Sequence, residues 1–132
     1  MSYRILVVDD SPVSRKMVCK AVAMCGLEIG EILEAGNGRE ALEVVANTWV
    51  DIVLADVHMP VMSGAEMVAE MAKRDFMSTT PVVIISSDKA KQNVEALRSM
   101  GVSAYLPKPF RPEQIKQVIS VLLCGKKGEG HG

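Results

Sequence analysis

Four short polar clusters carry the residue types best suited to chemistry: Asp9-Asp10, Asp56, Ser86-Ser87 and Lys108-Pro109. Carboxylates, a hydroxyl and one amine are the parts of a phosphoryl-transfer site. A carboxylate can serve as nucleophile, a divalent cation and the amine can neutralise the equatorial oxygens, and the hydroxyl can donate to one of them. The donor set also selects the cation. Clustered carboxylates raise one another's pKa and resist joint ionisation, which a hard ion bound through oxygen relieves. Mg²⁺ takes such ligands, commonly one or two carboxylates with phosphate oxygens and water. The His and Cys ligands expected of zinc are missing from the cluster.

The clusters acquire meaning from the elements that must position them. Ile5-Leu6-Val7-Val8, Ile52-Val53-Leu54-Ala55 and Val82-Val83-Ile84-Ile85 are apolar without alternation, the pattern of strands covered on both faces. Ile32-Leu33-Glu34-Ala35 and Ala104-Tyr105-Leu106 are weaker strand candidates. Between them lie segments of helical period. Val13, Met17, Ala21 and Met24 form the first stripe, after Ser11 as N-cap and Pro12 at the first helical position. Ala41, Leu42, Val45 and Ala46 form the second, and Val68, Met71 and Ala72 the third. Ala90, Val94 and Leu97 form the fourth, closed by Gly101, and Ile115, Val118, Ile119 and Leu122 the fifth. Five β-α units in succession predict an α/β fold, a doubly wound parallel sheet with right-handed crossovers and helices on both faces.

In such sheets ligands bind beyond the carboxyl ends of the strands. Asp9-Asp10 ends strand one, Asp56 strand three and Ser86-Ser87 strand four, while Lys108 follows strand five. Each cluster alone has an ordinary reading: a turn with a capping Asp, a loop residue, a helix cap, an exposed turn. Their joint arrival at one rim favours the functional reading. Gly36-Asn37-Gly38 is a turn into a helix and lacks the Lys-Ser/Thr ending of a phosphate-binding P-loop. The nine methionines read mostly as core, and Trp49 as a partly buried anchor before strand three.

Composition narrows the classes further. The 132 residues suit one domain over residues 1–124, with a Gly-rich tail expected to be disordered over 125–132. Hydrophobic residues make up 48% and charged residues 23%, a globular balance. A net charge of −1 without a basic stripe argues against nucleic acid and membrane surfaces as partners. Cys19, Cys25 and Cys124 lack metal-ligand spacing and read as reduced thiols. No signal peptide and no apolar stretch of the ~18 residues a span needs is visible, so a cytoplasmic location is expected.

Asp9-Asp10, Asp56 followed by Met59-Pro60 and Gly64, Ser86, and Lys108-Pro109-Phe110, in this order and spacing, resemble the receiver domain of two-component response regulators. Asn37-Gly38 then Ala41-Leu42 fits that family's second helix, and the resemblance runs from residue 3 to about residue 124. It implies a flavodoxin-like, five-stranded sheet of order 2-1-3-4-5 with five helices. It implies Asp56 as phosphoacceptor and Mg²⁺ held by Asp56 and Asp10, by Asp9 through water and by the His58 backbone carbonyl. Ser86 would bond the phosphoryl group and Lys108 would pair with it, aimed by a cis Lys108–Pro109 peptide. Tyr105 matches the aromatic switch position, coupled to Ser86. His58 and Asp88 occupy variable positions flanking the phosphoryl group, where side chains tune hydrolysis; for His58 a purely backbone role is equally open. Ser86 stands where Thr is frequent, and Ser63 where Asp or Asn often precedes the Gly.

The resemblance implies a signalling switch, phosphorylated by a sensor histidine kinase, rather than an enzyme with an external substrate. An Asp-nucleophile phosphatase is the competing class, but such enzymes usually carry an acid two residues after the nucleophile, where this chain has His58, and a cap domain. With no effector domain after the fifth helix, output is expected through a partner protein. One role is a chemotaxis adaptor of the CheY-like kind acting on the flagellar motor switch. The other is a phosphorelay intermediate that passes the group to a histidine phosphotransfer protein. Val8-Asp9-Asp10-Ser11-Pro12 and Lys108-Pro109-Phe110-Arg111-Pro112 lean toward the adaptor.

Overall fold

The computed structural model describes residues 2–88 and 90–124; the tail expected over 125–132 lies outside the described residues. The elements run β1 (Tyr3–Val8), α1 (Pro12–Ala23), β2 (Ile29–Ala35), α2 (Gly38–Asn47), β3 (Ile52–Ala55), α3 (Gly64–Lys73), β4 (Val82–Ser86), α4 (Lys91–Ser99), β5 (Ala104–Pro107) and α5 (Pro112–Ile119). A 3₁₀ turn, Phe76–Ser78, precedes β4, and α5 runs on through a wider turn, Ser120–Cys124. The sheet has the order β2-β1-β3-β4-β5 with every pair parallel. This is the expected doubly wound architecture.

The continuous apolar strand runs are explained by burial on both sides. Leu6, Val8, Val53, Ala55, Val82 and Ile84 face a core filled by Ala41, Leu42, Met67, Val68, Met71 and Leu97 from α2, α3 and α4. Their neighbours Ile5, Val7, Ile52, Leu54, Val83 and Ile85 face the other core, with Val18, Val22, Ile115 and Ile119 from α1 and α5. Ser11 caps α1 as predicted; Asn37 caps α2, and Ser63 forms a reciprocal capping box with Glu66 on α3.

Some expectations are corrected. Helix α1 buries Val18, Ala21 and Val22, while Val13, Met17 and Met24 are 72%, 60% and 65% exposed. Both stripes have helical period, and the face holding the two β-branched valines packs on the sheet. Strand β2 begins at Ile29, three residues before the apolar run. Most described methionines do join the core, Met67 and Met71 buried and Met59, Met62 and Met77 packed against it, while Met17, Met24 and Met100 are exposed. Trp49 is also more exposed than expected, at 57%, with Nε1 donating to Asp51 before β3. Helix α4 is lightly anchored, Leu97 being its one buried residue, and Gly101 closes it at φ 105°.

Candidate functional site

Parallel strands deliver their following residues to one edge, and β1, β3, β4 and β5 do so here. Asp9 follows β1, its amide donating to the Ala35 carbonyl on β2. Asp56 follows β3, its amide donating to the Val8 carbonyl. Carboxylate oxygens of Asp9, Asp10 and Asp56 all lie within 4.8 Å of one another. The structure thus brings together the three carboxylates that the sequence singles out.

Their environments differ. Asp9 is buried, and both of its carboxylate oxygens are engaged: the Ser11 amide donates to Oδ1 at 3.0 Å, and the Ser14 hydroxyl and Lys108 Nζ donate to Oδ2 at 2.6 and 3.1 Å. Asp10 is exposed. Asp56 accepts from the Val57 amide at Oδ1 (2.7 Å), and its Oδ2 lies 3.4 Å from Lys108 Nζ. One ammonium does not balance three carboxylates, and an all-oxygen donor set of this charge fits a hard divalent cation such as Mg²⁺.

Lys108 is aimed by its backbone. Its amide donates to the Ser86 carbonyl at 2.9 Å, and the Lys108–Pro109 peptide is cis, as the resemblance implies. Beside it lies an apolar concavity of about 300 Å³ lined by Met17, Pro109 and Phe110 with Ser14, Ser87 and Lys108.

Two glycines let the β3–α3 loop close over the rim. A Cβ on Gly64 would stand 2.3 Å from the Asp56 carbonyl oxygen and 2.9 Å from Val57 Cα. One on Gly38 would meet the Met62 carbonyl at 2.9 Å. Between them, Val61 adopts φ 66° in a γ-turn in which the Met62 amide reaches the Pro60 carbonyl at 2.6 Å. That region is unfavourable for a β-branched residue.

On the far side of the rim Ser86 is fully buried, and its hydroxyl accepts from the Asp88 amide at 3.1 Å. Asp88 is a junction. Its carboxylate accepts from the Ala90 amide, from Asn93 Nδ2 on α4 and from His58 Nε2 at 3.1 Å, and its carbonyl accepts from the Tyr105 hydroxyl. The Ala90 amide, with Asn93 and His58, holds the Asp88 carboxyl below the usual carboxylate range. Burial raises the Tyr105 phenol, a hydrogen bond with Ser86 opposes the rise, and the Asp88 and Asp56 charges add to it. Tyr105 is half-buried and packs against the core on the α2–α3 side of the sheet.

Sequence reasoning missed several participants. Ser14 bridges Lys108 and Asp9. Arg15 Nη1 donates to the Asp9 carbonyl at 2.6 Å while its Nε pairs with Glu34 on β2 at 2.8 Å. The first was hidden, because only the packing that turns Val13 and Met17 outward presents Ser14 to the rim. The His58–Asp88 bond spans 30 residues and leaves no local trace.

Comparison with known proteins agrees with this geometry. A sequence model of the response regulator receiver domain matches residues 5–120. The chemotaxis protein CheY1 of Helicobacter pylori is 31% identical over 121 residues, 91% of this chain and 96% of that protein. The crystal structure of chemotaxis protein CheY4 of Vibrio cholerae aligns with a TM-score of 0.83 at 29% identity, over 93% of this chain and 100% of that one. CheY in the CheX–CheY–BeF₃–Mg²⁺ complex from Borrelia burgdorferi aligns with a TM-score of 0.80 at 27% identity, over 92% and 90% of the two chains.

Proposed function

The chain belongs to the response regulator receiver domain family, and from that footing we propose that it is a signalling switch phosphorylated on Asp56. The observation that carries this is the placement of the Asp56 carboxylate within 4.8 Å of those of Asp9 and Asp10, with Lys108 Nζ at 3.4 Å. Asp56 Oδ1 is held by the Val57 amide, which leaves Oδ2 on the side of the ammonium. An oxygen of Asp56 attacks phosphorus, and a P–O bond forms as the donor's P–N bond breaks.

Asp56, Asp10 and the His58 carbonyl, together with Asp9, would hold Mg²⁺, which would supply charge neutralisation at the phosphoryl oxygens. Lys108 moves from its carboxylate partners to a phosphoryl oxygen, and the Ser86 hydroxyl donates to another. The donor is a sensor histidine kinase. The apolar concavity beside Lys108, with Met17 exposed at its edge, suits a protein donor that must bring its phosphorylated side chain to Asp56.

Output runs through a protein partner that reads the face around α4, β5 and α5, where Ser86 and Tyr105 couple to Asp88. The relatives' names support a chemotaxis adaptor, and the Borrelia complex supports a separate protein as partner. Residues 1–124 act as one receiver unit. Among the described residues no helix is long and apolar enough to cross a membrane, and we place the protein in the cytoplasm.

Acetyl phosphate with Mg²⁺ is expected to add one phosphoryl group, read as an intact-mass increase, and the Asp56→Asn chain none. Undiminished labelling of Asp56→Asn would move the acceptor elsewhere.

A further inference from the structure

We infer that Ser14 is a positioning residue that holds the Lys108 ammonium off Asp56 and so keeps the acceptor carboxylate open to metal. The inference rests on the reading of Asp56 as phosphoacceptor. It starts from an asymmetry. Lys108 Nζ lies 2.9 Å from Ser14 Oγ and 3.1 Å from Asp9 Oδ2, but 3.4 Å from Asp56 Oδ2. The last distance exceeds the usual range of an N–H···O bond. The ammonium is therefore drawn to the α1 side of the rim, although the two carboxylates are similar acceptors.

Ser14 accounts for the difference. Its Oγ is 2.6 Å from Asp9 Oδ2. A carboxylate can only accept, so the single hydroxyl hydrogen goes to Asp9 and a lone pair is left facing Lys108. The ammonium thus has two short acceptors on one side and a long one on the other. Ser14 sits in the first turn of α1, whose N-terminus is fixed by the Ser11 cap and by Pro12. The anchor belongs to a capped helix rather than to a free loop.

The placement matters because Lys108 and a cation compete for Asp56 Oδ2. A fully engaged lysine would neutralise the carboxylate that must bind metal and attack phosphorus. Ser14→Ala removes one acceptor, and the ammonium then relaxes toward Asp56. Asp9 keeps the Ser11 amide and Lys108 as partners, so the fold is retained.

Mg²⁺ titration of the full chain, followed by backbone amide NMR shifts in the Val57–His58 loop, tests this. Ser14→Ala is expected to weaken Mg²⁺ binding about three- to ten-fold, the range set by the net contribution of one ordinary hydrogen bond. Ser14→Thr, which keeps the hydroxyl, restores it. On a Lys108→Ala background the Ser14→Ala change is expected to have no further effect, because there is no ammonium left to place. Unchanged affinity in Ser14→Ala, or the same loss with and without Lys108, overturns the inference. Mass labelling of Asp56 uses no Ser14 variant, so failure of the phosphoacceptor reading shows separately. A wild-type chain that binds no Mg²⁺ overturns this inference and the metal role together.

Discussion

The Tyr105 hydroxyl donates to the backbone carbonyl of Asp88, tying β5 to the loop whose amide is bound by the Ser86 hydroxyl. Any movement of Ser86 toward a phosphoryl oxygen releases the Asp88 amide and disturbs the partner of Tyr105. The Tyr105 ring is half-buried, so such a movement would remake its tie to Asp88. Lightly anchored α4 is the element such a change can shift. Beryllofluoride with Mg²⁺, a phosphoryl mimic, is expected to alter amide hydrogen exchange through the β4–α4 loop and the first turn of α4. Tyr105→Phe is expected to speed exchange there even without the mimic and to lower stability by about 1 kcal/mol. Changes confined to the Asp56 loop would place the output surface elsewhere.

Tyr105 also makes a prediction in pH. Its phenol is raised first by burial, with the Asp88 and Asp56 charges adding and the Ser86 bond opposing. The folded state thus holds this proton more tightly than the unfolded chain. The contribution to stability is complete below the unfolded phenol value and is lost as pH rises through the folded one. The chain has two tyrosines. In an alkaline absorbance titration a late phase is expected, and Tyr105→Phe should remove it. Survival of that phase in the variant would assign it to Tyr3.

The two adjacent acids should separate cleanly. Asp9 is buried with both oxygens bonded, whereas Asp10 is exposed. Asp9→Asn is expected to destabilise the metal-free chain by about 1.5–3 kcal/mol, the scale of hydrogen bonds to a charged group. Asp10→Asn removes a like charge from the cluster and is expected to leave stability unchanged or raised, while abolishing tight Mg²⁺ binding. Urea unfolding in chelator and Mg²⁺ titration of both variants check this, and equal metal affinities would reject the ranking.

Gly64→Ala is expected to displace the Asp56 loop, because its Cβ would meet backbone rather than a side chain that can turn away. A stability loss of about 1–3 kcal/mol and slower labelling by acetyl phosphate should follow. Gly36→Ala is the control, since a Cβ there meets only the Glu40 carboxylate, at 3.6 and 3.9 Å, and Arg15 at 4.0 Å. Similar losses in both variants would remove the steric explanation.

Val61 offers the opposite sign. It is 73% exposed and held at φ 66°, so it packs little and is strained. Val61→Gly is expected to stabilise the chain by about 1 kcal/mol through relief of the left-handed backbone. A lower unfolding midpoint would show that the side chain contributes more than its exposure suggests.

The strand ends were legible because a parallel strand buried on both faces is a continuous apolar run, and the first polar residue after it marks the rim. Asp9, Asp56 and Lys108 could be placed in this way, and Ser11 was legible as a cap from Pro12 at the next position. The rotation of α1 was not legible. Val13, Met17 and Met24 share the helical period with Val18 and Val22, and only packing against the sheet and α5 selects between the two faces. That ambiguity hid Ser14. Arg15–Glu34 and His58–Asp88 join residues far apart in the chain, so no local pattern announces them.

Trp49 stands before β3, whereas Asp56 follows it, so a strand of four residues, about 13 Å at 3.3 Å per residue, lies between the single indole and the Asp56 carboxylate. Its Nε1 is bonded to Asp51 at that remote pole. Intrinsic emission from this chain should therefore be blind to cation and phosphoryl occupancy while still following denaturation. One fluorophore can then serve as a neutral gauge of unfolding across every variant and ligand state, without correction for quenching at the rim.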